Sequence, residues 1–287
     1  MTSFATLSPL KKRLGTGRIG HVGTLDKFAT GLLVVLVGSY SRLAPYFTAL
    51  DKTYRARVRF GFETDTLDPE GQVVAEAEPP EAAVLESVLG RFRGPTLQRP
   101  PAYSALHVDG KRAYERARHG EEVEMAERPI VIHELDLLSY DGRDAELLVR
   151  CSSGSYVRSL ARDIALAAGS RASLAALSRE AIGPLVLKDA VSADAFIPEF
   201  HERFLDPVLA RSLGLVPRRI DPAAERAFRN GGRLDSACLS SLDATPDPDQ
   251  SGSAHPLAVF SDSMAFLGLV DDGADCLHYR FVIGDAP

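Results

Sequence analysis

From Thr53 to Phe60 the chain reads Thr-Tyr-Arg-Ala-Arg-Val-Arg-Phe, with cationic and apolar residues alternating at period two. Only an extended strand sorts such a run, placing Arg55, Arg57 and Arg59 on one face and Tyr54, Ala56, Val58 and Phe60 on the other. A helix would scatter both sets. The fold must therefore contain a sheet with one apolar face to bury. On this strand alone a half-solvated antiparallel strand accounts for the arginines. With Lys11-Lys12-Arg13 and Lys27 nearby in sequence, the balance moves towards phosphate contact.

Around that strand the pattern is mixed. Ser8-Pro9 followed by Leu10 to Leu14 and Gly15 predicts a cap, a first-turn proline, a short basic helix and a stop. Leu32 to Val37, between Gly31 and Gly38, predicts a strand buried on both faces, and Ser41 to Leu50 a helix. The turn-rich Thr64 to Gly71 precedes a short strand at Gln72 to Ala77, and Glu81 to Phe92 reads as a helix. Beyond the proline-bearing Gln98 to Tyr103 come a helical stretch near Ala113 to His119 and two strands, Ile130 to Tyr140 and Ala145 to Cys151, around Asp141-Gly142. Ser155 to Ala168 reads as a helix with Arg158 and Arg162 on one face at i, i+4. Strands interleaved with single helices and a hairpin predict an α+β (mixed α/β) architecture rather than a regular βαβ series. From Asp235 to Pro256 composition predicts a loop, while Leu257 to Val270 and Leu277 to Ile283 predict strands of a small C-terminal β module. The expected division is 1–205 and 206–287.

Net charge is −6, but its distribution is uneven. Residues 1–62 carry ten Lys/Arg against Asp26 and Asp51, hence +8, which leaves −14 for the remainder. Such asymmetry suggests a polyanionic partner for the N-terminal part. Residues 201–287 hold eight arginines against thirteen Asp/Glu, so that end offers little pull on RNA. Three well-separated cysteines, Cys151, Cys238 and Cys276, form neither a disulfide framework nor a CxxC knuckle. The N-terminus lacks a signal layout and no apolar run approaches a bilayer span, so a soluble, cytoplasmic protein with no membrane association is expected.

Several motifs fall away on context. Gly15-Thr16-Gly17-Arg18-Ile19-Gly20 matches G-x-G-x-x-G, yet it follows a basic helix and runs into a further glycine, so a turn is the better account than a dinucleotide site. The seven histidines show no H-E-x-x-H pairing, and Ser152, Ser153 and Ser155 lack the G-x-S-x-G elbow. Metal catalysis and serine hydrolysis are accordingly not expected. In Gly20 to Gly31, glycines bracket Asp26 between hydrophobic stretches, where a carboxylate needs a cationic partner to stay charged. Spacing alone reads Asp26 as a turn aspartate held by backbone amides.

Taken together, separate segments in fixed order resemble the TruB family of tRNA pseudouridine synthases. They are Gly20-His21-Val22-Gly23-Thr24-Leu25-Asp26 with Ala29-Thr30-Gly31; Lys52-Thr53-Tyr54; Thr64-Asp65-Thr66-Leu67-Asp68-Pro69-Glu70-Gly71; Pro100-Pro101-Ala102-Tyr103-Ser104-Ala105-Leu106 with Gly110-Lys111; and Cys151-Ser152-Ser153-Gly154-Ser155-Tyr156-Val157-Arg158. The resemblance implies a pseudouridine synthase fold, a central mostly antiparallel sheet flanked by helices, and isomerisation of a T-loop uridine in tRNA. It implies Asp26 as catalytic carboxylate, Tyr54 as the aromatic stacking on the uracil, Arg158 as the cation paired with Asp26, and His21 as the residue filling the space of the extruded base. Gly23, Thr24, Lys27, Lys52, Leu177 and Arg179 are implied on the RNA- or base-binding side, Leu177 and Arg179 by a looser local match. No metal, cofactor or obligatory protein partner is implied, and a monomer binding the tRNA T arm is expected.

The residue types suit that chemistry. Breaking the N1 glycosidic bond, turning the uracil and rejoining it through C5 needs a closed pocket and one carboxylate acting as nucleophile or base. An arginine beside Asp26 favours its charged form, and an aromatic face supports the base. Two features depart from the family pattern. The family opens with a strand and a Lys-Pro-x-Gly segment before Thr-Ser, whereas Met1-Thr2-Ser3 stands here, so a missing strand and an exposed sheet edge are expected. The C-terminal residues resemble the family's PUA-type module only faintly, so a reduced version is expected. The rivals are a non-catalytic tRNA-binding or tRNA-folding protein of the same fold, and a guide-RNA-dependent relative.

Overall fold

In the computed structural model, which describes residues 3–104, 106–108, 111–112, 116, 125–192, 194–196, 202–242, 255–273 and 275–284, the alternating run forms the strand Lys52–Phe60. It is hydrogen-bonded on both sides, antiparallel to Asp144–Cys151 and to Ala172–Ile182. Ala56, Val58 and Phe60 are fully buried, whereas Arg55 and Arg57 are exposed, as period two requires.

The sheet runs in the order Leu185–Val186, Ala172–Ile182, Lys52–Phe60, Asp144–Cys151, Arg128–Tyr140, Gly94–Gln98. Every neighbouring pair along this path is antiparallel. The short strand Thr30–Gly31 joins Ala172–Ile182 in parallel. The helices Ala82–Leu89 and Val157–Ala167 bury Leu85, Val88, Leu160 and Ile164 against Ala56, Val58, Leu147 and Val149, covering one face of the sheet. Val157–Ala167 suits this task because its apolar positions recur at helical spacing. The hairpin joining Arg128–Tyr140 to Asp144–Cys151 turns at Asp141–Gly142, with Gly142 at φ 95° and the Asp141 carboxylate accepting from the Arg143 and Asp144 amides.

Contacts divide the chain into two compact units built from interleaved segments, unlike the linear split at 205/206. The first comprises Ser3, Thr24–Leu33 and Ala49–Ala190, and holds the sheet just described. The second comprises the described parts of Phe4–Gly23, Val34–Thr48 and Val191–Pro287. It contains the helix Leu7–Leu14, the antiparallel pair Ile19–Val22 with Val34–Val37, and a five-stranded sheet. That sheet runs Leu239–Ser241, Val216–Ile220, Leu257–Phe260, Phe266–Asp271, His278–Val282. Its helices Pro207–Ser212 and Pro222–Arg229 each begin with a capping aspartate and a first-turn proline, Asp206-Pro207 and Asp221-Pro222.

Several expectations change. Leu32 to Val37 is not a strand buried on both faces: only Val34–Val37 is extended, it pairs with Ile19–Val22 alone, and of its residues only Leu36 is buried. A two-stranded sheet covers one face at most. The helix expected to start at Ser8 starts at Leu7 with Thr6 at its cap position, though Gly15 ends it in the left-handed conformation as expected. Leu257 to Val270 is a hairpin of two strands, and Leu239–Ser241, inside the stretch read as loop, forms an edge strand. Residues 243–254 and nearly all of the helix expected near Ala113 to His119 lie outside the described residues. Among the described residues, no helix is long and apolar enough to cross a membrane.

Candidate active site

The loop from Thr24 to Ala29 is held at three places. Ser3 Oγ accepts from the Leu25 amide at 3.0 Å and donates to the Leu25 carbonyl, and the Ala29 amide donates back to the Asp26 carbonyl at 3.0 Å. At its far end Gly31 adopts φ 103° and lies against the Arg179 backbone, where a side chain would strike main-chain atoms. The Leu32 amide then donates to the Arg179 carbonyl, and Arg179 Nε returns a bond to the Leu32 carbonyl, both at 2.8 Å.

Asp26 projects from this loop onto Arg158, the second residue of the helix Val157–Ala167. Arg158 Nη2 donates to Asp26 Oδ1 at 3.1 Å, and Nε lies 2.9 Å from Oδ2 as a charge contact whose N–H is not aligned on that oxygen. Arg158 is 4% exposed, and both of its terminal nitrogens donate into the fold. Nη1 donates to the Thr66 carbonyl at 2.8 Å and to Asp68 Oδ2 at 3.2 Å, and Nη2 also reaches the Tyr103 carbonyl at 3.0 Å. A buried guidinium shared by two carboxylates and two carbonyls is fixed in plane and position.

The turn Thr64 to Gly71 supplies the second carboxylate. Asp68, 5% exposed, accepts from Thr66 Oγ1 at 2.6 Å and from the Glu70 amide at 3.0 Å. Buried Leu67 reaches φ 61°, a left-handed conformation costly for a branched side chain, and its carbonyl accepts from Leu174. Asp26, Lys27, Asp65, Thr66, Asp68, Glu70, Tyr103 and Arg158 line a cleft of about 330 Å³.

Burial pushes the Asp26 carboxyl above its ordinary value, Arg158 opposes this by charge and hydrogen bond, and Asp68 and Glu70 reinforce it. Arg158 thus favours the charged form, as the sequence reading required, without outweighing burial. Tyr54 is half-buried, and its phenol is raised by burial, with Arg179 opposing through charge and a hydrogen bond and the Asp26 charge adding to the rise. Arg179, 1% exposed, is itself lowered by burial. Asp26, Arg158, Tyr54 and Arg179 therefore share one electrostatic neighbourhood.

The other residues implied by the resemblance are distributed more widely. Leu177 is buried in the sheet opposite Ala56, with Thr30 Oγ1 on its carbonyl at 3.5 Å. Thr24 is exposed, and Lys27 is exposed and paired with Glu70 at 2.7 Å. Lys52 is 7% exposed, its amine donates to the Leu50 carbonyl at 2.6 Å, and burial lowers it to about 8. Lys52 thus serves the strand end and does not present a cation to solvent. His21 and Gly23 belong to the second unit, His21 half-buried on the strand Ile19–Val22 opposite Val35. The arginine face read as a phosphate contact is paired within the sheet: Arg55 with Glu146 at 2.9 Å, and Arg57 and Arg59 with Asp144. Reading one strand at a time missed Asp144 and Glu146 as partners, and also Ser3, Asp68 and Gln98. Asp68 alone left a signal, as the central carboxylate of a turn motif. Among the described residues, no group of three or more His, Cys, Asp or Glu side chains could hold a metal ion.

Residues 11–157 match the family model of the TruB family pseudouridylate synthases, N-terminal domain. The tRNA pseudouridine synthase B of Bordetella avium is 45% identical over 228 residues, covering 78% of this chain and 91% of its own length. This chain belongs to the TruB family. Its similarity also extends to the tRNA pseudouridine synthase B of Borreliella burgdorferi, 46% identical over 191 residues and covering 66% of this chain and 68% of that protein. In structure, a chain of a Cbf5-Nop10-Gar1 complex covers 98% of this chain at TM-score 0.69 and 20% identity, with 81% of its own length covered. A second, from an H/ACA RNP bound to substrate RNA, gives 0.67 at 19% identity over the same shares. These two establish the pseudouridine synthase fold. The TruB family match stops one residue short of Arg158, so the partner of Asp26 is placed by the geometry described above.

Proposed function

We propose that this chain isomerises uridine to pseudouridine in tRNA, at the T-loop uridine, with Asp26 as the reacting carboxylate. The observation that carries the assignment is the two-point contact of Asp26 with the buried Arg158 in the wall of the 330 Å³ cleft. Arg158 holds Asp26 by a hydrogen bond to one oxygen and a charge contact to the other, which restricts how the carboxylate meets the glycosidic bond. The raised affinity of Asp26 for a proton makes it a stronger base and nucleophile than a free aspartate, while Arg158 keeps the ionised form accessible. Tyr54 offers a ring face to the detached uracil, and its phenol, beside Arg179, stays protonated.

Family membership supports the reaction and the tRNA substrate. The T arm as docking element, action as a monomer without an obligatory protein partner, and a cytoplasmic location complete the proposal. The test is pseudouridine formation in an unmodified tRNA transcript, with the parent and Asp26→Asn side by side and nothing else added. Product at the T-loop uridine from the parent alone supports the whole reading. Product from Asp26→Asn removes that carboxylate from the mechanism, and product elsewhere in the tRNA removes the T-loop assignment.

A further inference from the structure

Arg158 is the second residue of a helix that starts after Tyr156. Tyr156, the N-cap of Val157–Ala167, has extended backbone angles and makes no side-chain cap. A bare helix start leaves main-chain groups in need of partners. Gln98, 3% exposed, supplies one: its Oε1 accepts from the Tyr156 amide at 2.8 Å, and its Nε2 adds a second bond by donating at 3.1 Å to the Tyr156 carbonyl, which already accepts the first helical bond from the Leu160 amide. One primary amide thus pairs with one residue as a neighbouring strand would. Gln98 is anchored in turn, since it ends the strand Gly94–Gln98, in register with Arg128 of the long strand Arg128–Tyr140.

The chain beyond Gln98 holds the same turn of helix. The Arg99 carbonyl accepts from Ser159 Oγ at 2.8 Å and from Arg162 Nη2 at 3.0 Å, and the Tyr103 carbonyl accepts from Arg158 itself. A continuous path therefore runs from the sheet through the Gln98 amide to the Tyr156 backbone, then to Arg158 and Asp26. No other side chain substitutes for the amide: glutamate offers two acceptors, and methionine of similar length offers neither partner.

We infer that Gln98 is a positioning residue for the isomerisation, whose two-point grip on the Tyr156 backbone sets the guanidinium of Arg158 against Asp26. This rests on the assignment of Asp26 as the reacting carboxylate. Among the described residues Gln98 hydrogen-bonds neither Asp26 nor a residue lining the cleft, so its effect reaches Asp26 through Tyr156 and the helix that carries Arg158.

The test compares Gln98→Met and Gln98→Glu with the parent and with Asp26→Asn, reading single-turnover pseudouridine formation from pH 5 to 9, tRNA binding and thermal melting. Both Gln98 variants are expected to react roughly 10- to 100-fold more slowly, the cost of a displacement of about 1 Å, with tRNA affinity unchanged. The acidic limb of the rate should also move to higher pH. Arg158 lowers the proton affinity of Asp26, while burial, Asp68 and Glu70 raise it; Lys27 and Asp65 are the other charges lining that cleft, and the phenols of Tyr54, Tyr103 and Tyr156 are the other titratable groups near Asp26. Loosening Arg158 lets the raising influences prevail. Gln98→Met adds no charge, so its shift reports position alone. Should it fail to fold, Gln98→Glu, which keeps the acceptor for the Tyr156 amide, carries the rate and binding comparison. A parental rate and pH limb, or a loss that merely follows the folded fraction or tRNA affinity, overturns the inference. Those results beside an inactive Asp26→Asn overturn it alone, whereas an active Asp26→Asn overturns the functional reading first.

Discussion

Arg158 with Asp26 and Asp68, and Asp144 with Arg57 and Arg59, are two clusters of the same residue types in one compact unit, and their carboxylates shift in opposite directions. Asp144 is hydrogen-bonded by two guanidiniums, and the bonds from Arg59 and Arg57 pull it down to about 2 against the opposing effect of burial. Asp26 shares a single guanidinium with Asp68, and burial pushes it up. Surface accessibility would rank them the other way, for the Asp144 side chain is 9% exposed and that of Asp26 is 36%. The reason is what does the covering. Asp144 is screened from water largely by its own cationic partners, which are half-exposed, whereas Asp26 opens onto a cleft walled by protein and further carboxylates. The ratio of partners and the depth of surrounding protein, more than the presence of an ion pair, separate a reactive carboxylate from a structural one.

The largest effect expected from breaking this contrast is on Asp26 itself. Asp26→Asn should lower single-turnover pseudouridine formation by about 10²–10⁴-fold or more, the span associated with a lost acid–base group, while tRNA binding persists. Its stability should move the other way. A carboxyl whose folded proton affinity is raised contributes most when protonated, and that contribution fades as pH rises from its ordinary range through the raised folded value. At neutral pH the ionised Asp26 therefore weighs against folding, and the neutral amide should melt at or above the parent temperature. Melting well below the parent would mean that the pair with Arg158 outweighs burial.

Next in size is Arg158→Met. Removing the shared cation strands Asp68, whose side chain is 7% exposed, and breaking a buried pair in this way costs about 3–5 kcal/mol. Chemical denaturation should show that loss at neutral pH and recover part of it when Asp68→Asn is added. Failure of the second substitution to recover stability would show that Asp68 is held by Thr66 and the Glu70 amide without need of the arginine.

This contrast also marks how far the sequence could be read. The strand Lys52–Phe60 and the hairpin at Asp141–Gly142 were legible because a period of two and a turn dipeptide are local signals. Asp26 and Arg158 lie 132 positions apart, and their meeting was legible only through resemblance, since no spacing rule links a glycine-rich loop to the first turn of a distant helix. The partners of the arginine face were hidden for the same physical reason. Arg55, Arg57 and Arg59 were visible in one strand, but the carboxylates that neutralise them stand on a strand more than 80 residues later, in a register that only the folded sheet defines. Gln98 left no local signal at all, because a side-chain amide gripping a backbone across 58 positions has no periodic signature.

The smallest expected effect lies at the second cluster, and it sharpens the comparison most. Asp144 has a depressed folded value of about 2, so its contribution to stability is present above its ordinary value of 3.8 and is lost as pH falls through about 2. The parent and Asp144→Asn should therefore differ in stability above about pH 4 and converge near pH 2. The difference at neutral pH should be no more than about 1 kcal/mol, because Arg57 and Arg59 are 55% and 40% exposed and their attraction is screened. Turnover should stay within about twofold of the parent, as Asp144 contacts neither Asp26 nor Arg158. The same variant releases two arginines from their internal partner without adding a charge. If this face meets RNA phosphates, tRNA affinity should rise and its dependence on salt steepen; with the face neutralised in the sheet for structural reasons, both should stay unchanged. We expect no change, and a gain in affinity would return the alternating strand to the role its sequence first suggested.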